Sequence, residues 1–255
     1  MLTRWIALAG CLLAMTSYAQ APTLTPHQAE YKVSISGVSG RLNTVLDVDE
    51  QGHYTAIHSI KPTGIARLIA GSGRIREQSE FSIDDTFVVV SEYHSVDQIS
   101  RDKGEIRIAF DHDEQTLTGR IALEDQTPVE VDAEFAAPLF DRVSVQYQLM
   151  LDLKTENQTT DAEETPTEAV ERDRYAIFDP DGQKTLEITN IGQRNVKVGR
   201  KRYDVVGVRH QSPGSSRKTE LWLAPELDYL PVLIEQYRKE KLRLRATLRE
   251  YRPTT

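Results

Sequence analysis

Apolar and polar side chains alternate with a period of two along most of this 255-residue chain. In residues 29–36 the apolar Tyr31, Val33 and Ile35 alternate with polar residues, and residues 41–48 repeat the pattern. Because successive side chains of a β-strand point to opposite faces, this alternation predicts strands that bury one face. A surface helix would instead place its apolar residues three or four positions apart.

Short polar turns separate these stretches at the spacing typical of antiparallel sheets. The sequence DEQG at 49–52 joins 41–48 to a returning stretch at 52–60, and DPDG at 179–182 supplies a second strong turn. Further strands are predicted at 73–83, 86–97, 104–110, 116–124, 128–135, 184–190, 194–198, 203–210, 216–223, 229–238 and 241–251. The chain is therefore predicted to be mainly β, with an antiparallel curved sheet or incomplete β-barrel and one or two packed helices.

The helices are predicted where the alternation stops. The segment IARLIA at 65–70 follows Pro-Thr-Gly and is long enough for one or two helical turns. Residues 138–153 predict a longer helix, because Tyr147 and Met150 share helical spacing with other apolar residues and Asp141 lies in the first turn. Such a helix packs most simply across the apolar face of a sheet or into one end of a barrel.

Residues 154–173, KTENQTTDAEETPTEAVERD, are acidic and contain almost no large apolar side chains. This composition predicts a flexible, solvated loop at about 154–173. We interpret residues 20–255 as a single β-rich domain that contains this loop, and a boundary between two smaller domains is the alternative.

The first residues have the pattern of a secretory signal peptide. Arg4 precedes an apolar run from Trp5 to Met15, and small residues follow. Residues 1–19 are predicted to be removed, by cleavage after Ala19 or Ala21, and the mature chain is expected in the periplasm. The run is shorter than the roughly 20 residues of a membrane helix, and no transmembrane helix is expected elsewhere.

The only cysteine, Cys11, lies inside this run. The sequence LAGC at 8–11 is similar to the cleavage box of bacterial lipoproteins, so lipid anchoring through Cys11 is the minor alternative. Few apolar residues precede Cys11 and the run continues beyond it, which favours soluble release. A chain that lacks these residues has no cysteine, and its core must hold the fold without disulfides.

We expect a non-catalytic protein with no cofactor and no metal site. His53 and His58 lie five positions apart on one predicted strand and so point to opposite faces. The acidic stretch around His112 lacks the glycine and closing glutamate of a calcium loop. No G-x-S-x-G motif is present, and the net charge of −8 disfavours nucleic acid as a partner.

The stretch TELWLAPELDYLPVLIE at 219–235 contains the strongest candidate for a binding surface. Alternation places Leu221 and Leu223 on one face of a strand and Trp222 on the other, and a turn follows. The Trp and Tyr rings either cover the rim of the core or form the wall of an apolar cavity. For the second case the candidate ligand wall comprises Trp222, Tyr229, Leu230, Tyr147 and Met150.

This hairpin, the strand YKVSISG, the segment IARL after Pro-Thr-Gly and the helix around Tyr147 together resemble DUF3108, a bacterial family of exported proteins of unknown function. The resemblance covers the chain from Tyr31 to Tyr251 and implies no catalytic residue, because the family has no established activity. A weaker likeness links the hairpin to the periplasmic lipoprotein carriers, whose incomplete β-barrel holds acyl chains under helices. That likeness implies a fold and says little about a ligand.

These observations lead to two functional hypotheses. The first is a periplasmic protein that binds an apolar or amphiphilic envelope ligand such as a lipid. The alternative is an envelope scaffold that binds a partner protein along an exposed strand edge, for which the basic C-terminal strand 241–251 is the candidate.

Overall fold

The computed structural model describes residues 23–36, 38–64, 73–100, 103–136, 138–160 and 174–254. The predicted signal peptide with Cys11, the segment 65–70 and most of the predicted acidic loop lie outside these residues. In the part of the chain that is described, no helix has the length and apolar character needed to cross a membrane.

The described residues form one 15-stranded sheet. The strands are β1 (His27–Ile35), β2 (Val38–Val48), β3 (Tyr54–Pro62), β4 (Ile75–Asp84), β5 (Phe87–Asp97), β6 (Gly104–Asp111), β7 (Thr116–Leu123), β8 (Val129–Glu134), β9 (Leu139–Phe140), β10 (Arg174–Asp179), β11 (Gly182–Val198), β12 (Lys201–Gln211), β13 (Arg217–Ala224), β14 (Leu230–Arg238) and β15 (Lys241–Pro253). This architecture confirms the predicted mainly β fold.

Strands that follow each other in the sequence pair with each other, and the pairing of β1 with β15 joins the two halves of the sheet. The first half comprises β1–β8 and the second half β9–β15. All neighbours are antiparallel except β9 and β10, and the terminal strands β8 and β9 do not pair, so the curved sheet is not closed. The structure merges the strands predicted at 184–190 and 194–198 into β11, with an irregularity between Asn190 and Gly192.

The predicted partner-binding edge at the C-terminus is wrong. Strand β15 pairs with β14 along residues 241–247 and with β1 along residues 244–253, so it is an internal strand of the sheet and not an edge strand. Sequence alternation shows which face of a strand is buried, and it does not show which strands will be neighbours. The terminal strands of the described sheet are β8 and the two-residue β9, so β8 provides the longer open edge.

The helix α1 (Ser144–Thr160) begins and ends later than predicted. It begins later because Asp141 and Ser144 cap it. The Asp141 carboxylate accepts hydrogen bonds from the amides of Val143 (2.6 Å) and Ser144 (3.0 Å), and the Asp141 amide donates to the Ser144 hydroxyl (2.9 Å). These bonds satisfy donors that the first helical turn leaves free.

The end of α1 extends into the region that we predicted as a loop. Lys154 holds this part of the helix, since its ammonium contacts the Asp228 carboxylate at 2.6 Å and donates to the Thr23 carbonyl at 2.7 Å. Asp228 also accepts hydrogen bonds from the amide and hydroxyl of Thr25. A tertiary contact therefore keeps polar residues helical that composition alone assigns to solvent.

Two buried clusters form the core. The first surrounds α1 and includes side chains from both halves of the sheet. The second lies between β1 and β15 on one side and β11–β14 on the other. Strand β13 contributes to both, because Leu221 and Leu223 belong to the first cluster and Trp222 and Ala224 to the second. The predicted division of Leu221 and Trp222 between opposite faces is present.

Candidate functional site

One face of α1 packs against the first half of the sheet. The Tyr147 ring lies 5.6 Å from the Phe81 ring of β4, centroid to centroid. The Gln148 side chain accepts a hydrogen bond from the Val88 amide (2.7 Å) and donates to the Thr86 carbonyl (2.9 Å) in the turn between β4 and β5. Packing and buried hydrogen bonds together hold this face of α1 at a set distance from β4 and β5.

The opposite face of α1 lines a cleft of about 720 Å³. Val145, Gln146 and Leu149 face the second half of the sheet across this space, and β10–β14 form its floor. Cavities that hold small ligands in proteins have volumes of about 300–1,000 Å³. The cleft is therefore large enough to hold a small molecule.

The side chains on the floor of the cleft change from charged to aliphatic along β13 and β14. The strands place Arg217 opposite Arg238, Thr219 opposite Gln236 and Leu221 opposite Ile234, and all six side chains line the cleft. Successive pairs on one face are two residues apart, so the three pairs span roughly 13 Å. This ladder passes from charged through polar to aliphatic side chains.

The polar row of the ladder continues across neighbouring strands. His210 pairs with Thr219 on one side and with Ile188 on the other, and both partners line the cleft. Burial lowers the pKa of His210 to about 4, so its ring is neutral at neutral pH. Within the described ranges His210 makes no side-chain hydrogen bond, which leaves its ring nitrogens available to a ligand.

Two charged groups line the cleft at the same end of the strands, one on β10 and β11 and the other on β13 and β14. In the first group the Asp179 carboxylate lies 2.9 Å from the Arg142 guanidinium and 2.6 Å from the Lys184 ammonium, and Asp181 lies 3.3 Å from Lys184. Burial alone would raise the pKa of Asp179, but hydrogen bonds from Lys184 and Arg142 lower it below its ordinary value. Two cations and two carboxylates therefore balance each other in this group.

The second group, on β13 and β14, is basic. Arg217 and Arg238 line the cleft there, at what we call the basic mouth, and together with Lys239 and Arg243 they also line an adjoining surface pocket. Among the residues that the structure describes, none of the four forms an ion pair with a carboxylate. Like charges on directly opposed residues of a sheet are destabilising, so the Arg217–Arg238 pair has an energetic cost for the fold.

The structure does not bring the five residues of the predicted ligand wall together. Tyr147, Met150 and Tyr229 are buried in the first cluster, whereas Trp222 and Leu230 are buried in the second. None of the five lines the cleft. The prediction joined the two faces of the hairpin because both are apolar, and only the tertiary structure shows that each face packs into a different cluster.

Trp222 has a packing role in the second cluster. Its ring lies over Gly207 of the neighbouring strand, where an added Cβ would come within 2.5 Å of the ring. The Arg194 guanidinium covers the other side, 3.5 Å from the ring centroid, as in a cation–π contact. Trp222 is thus enclosed between backbone and a charged side chain.

Asp141 is the buried carboxylate with the most strongly altered environment near α1. Burial raises its pKa to about 6, against the opposing effect of a hydrogen bond from the Ser79 hydroxyl at 2.5 Å and of the capping amides. Its oxygens are engaged by these donors, so it serves as a helix cap. Across the described ranges, no group of three or more His, Cys, Asp or Glu side chains could hold a metal ion.

Sequence reasoning missed the residues that line the cleft. Arg217, Thr219, Gln236 and Arg238 lie on predicted strands, but their pairing depends on the hairpin register. The signal that could have found them is the order of side chains on one face of the two strands, read outward from the turn at Pro225–Leu227. The bulge between Trp222 and Leu223 shifts that register by one residue, which simple counting from the turn would not include.

Comparison with known proteins identifies a family and a related fold. A crystal structure of a β-barrel-like protein of domain of unknown function DUF1849 from Brucella abortus superposes with a TM-score of 0.55 and 13% identity, over 91% of this chain and 99% of that chain. At this identity the likeness shows the fold alone. No match was found among curated proteins. The family model described as Protein of unknown function (DUF3108) matches residues 28–240, which confirms the resemblance of the strand and hairpin motifs, and the chain belongs to this family.

Proposed function

We propose that this protein is exported to the periplasm and binds an apolar or amphiphilic ligand in the cleft between α1 and β10–β14, without catalysis. The observation that carries this proposal is the cleft itself. Aliphatic side chains from the helix and from four strands line part of it, and polar and charged side chains line the rest, as an amphiphilic ligand requires. Removal of a ligand's apolar surface from water contributes about 25 cal/mol per Å² before the costs of association.

The lining supports an aliphatic or amphiphilic occupant. The apolar residues are Val145, Leu149, Ile177, Leu186, Ile188, Leu221 and Ile234. Ligand sites in proteins are mainly apolar, with a small number of polar groups that orient the ligand. Gln146, Thr219, Gln236 and the neutral His210 are such groups here. The signal-peptide pattern at 1–19 supports export, and an envelope amphiphile would be present in that compartment.

The test combines a bound-ligand search with a blocked cleft. Native mass spectrometry of the purified protein should detect a co-purifying amphiphile, and the apolar probe N-phenyl-1-naphthylamine should become fluorescent on binding. Ile188→Trp should weaken probe binding, because the larger side chain narrows the cleft over its aliphatic surface. Ile191→Trp is the matched control, since Ile191 lies on the same strand and packs against the second cluster. Equal probe binding by both variants would contradict the proposal.

Export is tested separately by cell fractionation. We expect the protein in the periplasmic fraction, with an N-terminus that begins after Ala19 or Ala21. Recovery from the cytoplasm with residues 1–19 intact would contradict export and would leave the binding test unaffected.

A second candidate function is partner binding by strand addition, and the edge of β8 favours it. In the described part of the chain, β8 pairs with β7 alone. This edge carries Glu130, Asp132 and Glu134, and Val129 is 55% exposed. Acidic residues on an edge oppose pairing between copies of the same chain and suit a basic, extended partner. A bound polypeptide in the same native mass spectra would favour this function over the first.

A further inference from the structure

We propose that the cleft binds an amphiphile with an anionic headgroup, and that Arg217 and Arg238 hold that headgroup at the basic mouth. The inference rests on the proposed function and adds the chemical class and the orientation of the ligand. Its basis is the order of side chains along β13 and β14, together with the difference in charge balance between this arginine pair and the ion-paired group on β10 and β11.

The ladder on the cleft floor matches an amphiphile in one orientation. Leu221 and Ile234 supply an aliphatic surface, Thr219 and Gln236 supply hydrogen-bonding groups in the middle, and the arginine pair ends the ladder. A ligand with its aliphatic chain over the first pair brings its headgroup to the arginines, about 13 Å away along the strands. The opposite orientation would place the headgroup against aliphatic side chains, at a large cost in desolvation.

The charge of the basic mouth selects the headgroup. The hairpin register places the guanidinium groups of Arg217 and Arg238 on directly opposed residues, and no described carboxylate pairs with either. Lys239 and Arg243 add positive charge around the same opening. An anion between the arginines would relieve their repulsion and accept forked hydrogen bonds from both guanidinium groups.

The balanced charged group argues against an anion on the side of β10 and β11. There Asp179 and Asp181 already neutralise Arg142 and Lys184 through contacts of 2.6–3.3 Å. A ligand anion on that side would compete with two carboxylates for the same donors. The headgroup therefore has one favourable place in the cleft, and the aliphatic chain extends from it between α1 and the sheet.

The experiment compares ligands that differ in the headgroup alone. Isothermal titration calorimetry of the purified protein uses dodecyl phosphate, dodecyl glucoside and inorganic phosphate, each amphiphile below its micelle concentration. We expect dodecyl phosphate to bind at least about tenfold more tightly than dodecyl glucoside, the worth of a charge-assisted hydrogen bond. This preference should decrease with added salt, and inorganic phosphate should not displace dodecyl phosphate at equal concentration.

Arginine variants locate the headgroup. The double variant Arg217→Gln, Arg238→Gln should lose the preference for phosphate and keep its affinity for the glucoside. The matched control is Arg200→Gln with Arg249→Gln, which removes the same charge from two exposed arginines that do not line the cleft. The control should keep the full preference, and thermal unfolding should show both double variants folded.

The outcomes separate this inference from the proposed function. If neither amphiphile binds, the proposed function fails and the inference fails with it. If both amphiphiles bind equally, or if the arginine double variant keeps the phosphate preference, the inference alone is overturned. Displacement of dodecyl phosphate by inorganic phosphate at equal concentration would also overturn it, because the mouth would then bind a free anion without regard to the aliphatic chain.

Discussion

The two faces of α1 meet the sheet in different ways. The face with Tyr147 and Gln148 is buried against β4 and β5, and its polar groups are hydrogen-bonded there. The face with Val145 and Leu149 lines the cleft against the second half of the sheet. The comparison shows that buried hydrogen bonds can set the position of a helix. The helix cannot move to fill the cleft without leaving Gln148 and Asp141 unpaired, which costs more than the additional packing would contribute.

The two charged groups that line the cleft differ in a related way. Asp179 balances Arg142 and Lys184 on the side of β10 and β11, whereas Arg217 and Arg238 have no described acidic partner. Contacts within the protein already satisfy the first group, and they leave the arginine pair free for a ligand. The cleft therefore combines open space beside one face of the helix with positive charge that no described carboxylate balances.

The largest predicted effect contrasts two leucines on opposite sides of α1. Leu151→Ala should reduce the free energy of unfolding by about 3 kcal/mol, because it leaves a cavity in a filled region. Leu149→Ala should cost less, about 2 kcal/mol, because this buried side chain also borders the cleft, so its removal creates less new cavity. Urea unfolding of the two variants measures both values. Equal losses would show that the cleft face is packed as tightly as the other.

A smaller effect concerns the pH dependence of stability through His210. Its pKa is lowered from 6.5 to about 4 by burial, so the unfolded chain binds a proton at a higher pH than the folded chain. The stability that depends on the neutral ring is fully present above about pH 6.5 and is lost as the pH falls toward 4. Between pH 7.5 and 4.5 the free energy of unfolding of the wild-type chain should fall by on the order of 2 kcal/mol more than that of His210→Gln.

Urea unfolding at a series of pH values checks this prediction. At pH 7.5 the difference in free energy of unfolding between the wild-type chain and His210→Gln reports the packing that the substitution changes. The decrease of this difference toward pH 4.5 reports proton binding to His210. A difference that is constant with pH would show that the folded cleft admits the charged ring, and so that this part of the floor is wetter than the structure indicates.

The smallest predicted effect is a gain in stability. Arg217→Gln removes one of two like charges on opposed residues, and it should raise the free energy of unfolding by about 0.5 kcal/mol at low salt. The gain should disappear at high salt because the repulsion is screened. Arg200→Gln, which removes an exposed arginine from the turn between β11 and β12, is the control. A loss of stability in Arg217→Gln would indicate that this arginine has an internal partner.

Sequence patterns predicted the architecture because they depend on neighbouring residues. The alternation around Tyr31 and Val33 requires one buried face wherever the strand lies, and DPDG requires a tight turn in any fold. The cap at Asp141 is also local, although we placed the start of the helix too early. The strand around Tyr31 and the hairpin at 219–235, which carry the family resemblance, lie in such locally determined elements, which is why the resemblance and the fold agree.

The site could not be predicted in the same way. Trp222 and Tyr229 are close in sequence and both aromatic, yet they pack into clusters on opposite faces of the sheet. Lys154 is helical because it contacts Asp228 and Thr23, which are far from it in the sequence. The type of a residue indicates how favourable its burial is, but it does not indicate which distant residue it will contact.

By itself, the sequence determined that this chain folds as a mainly antiparallel β protein with turns at defined places, since backbone geometry and side-chain alternation act over a few residues. Tertiary structure decided that β15 is internal, that α1 is held against one half of the sheet, and that a cleft with one basic mouth remains beside the other half. These features depend on register and on contacts between distant segments, and such contacts form only when the whole sheet is assembled.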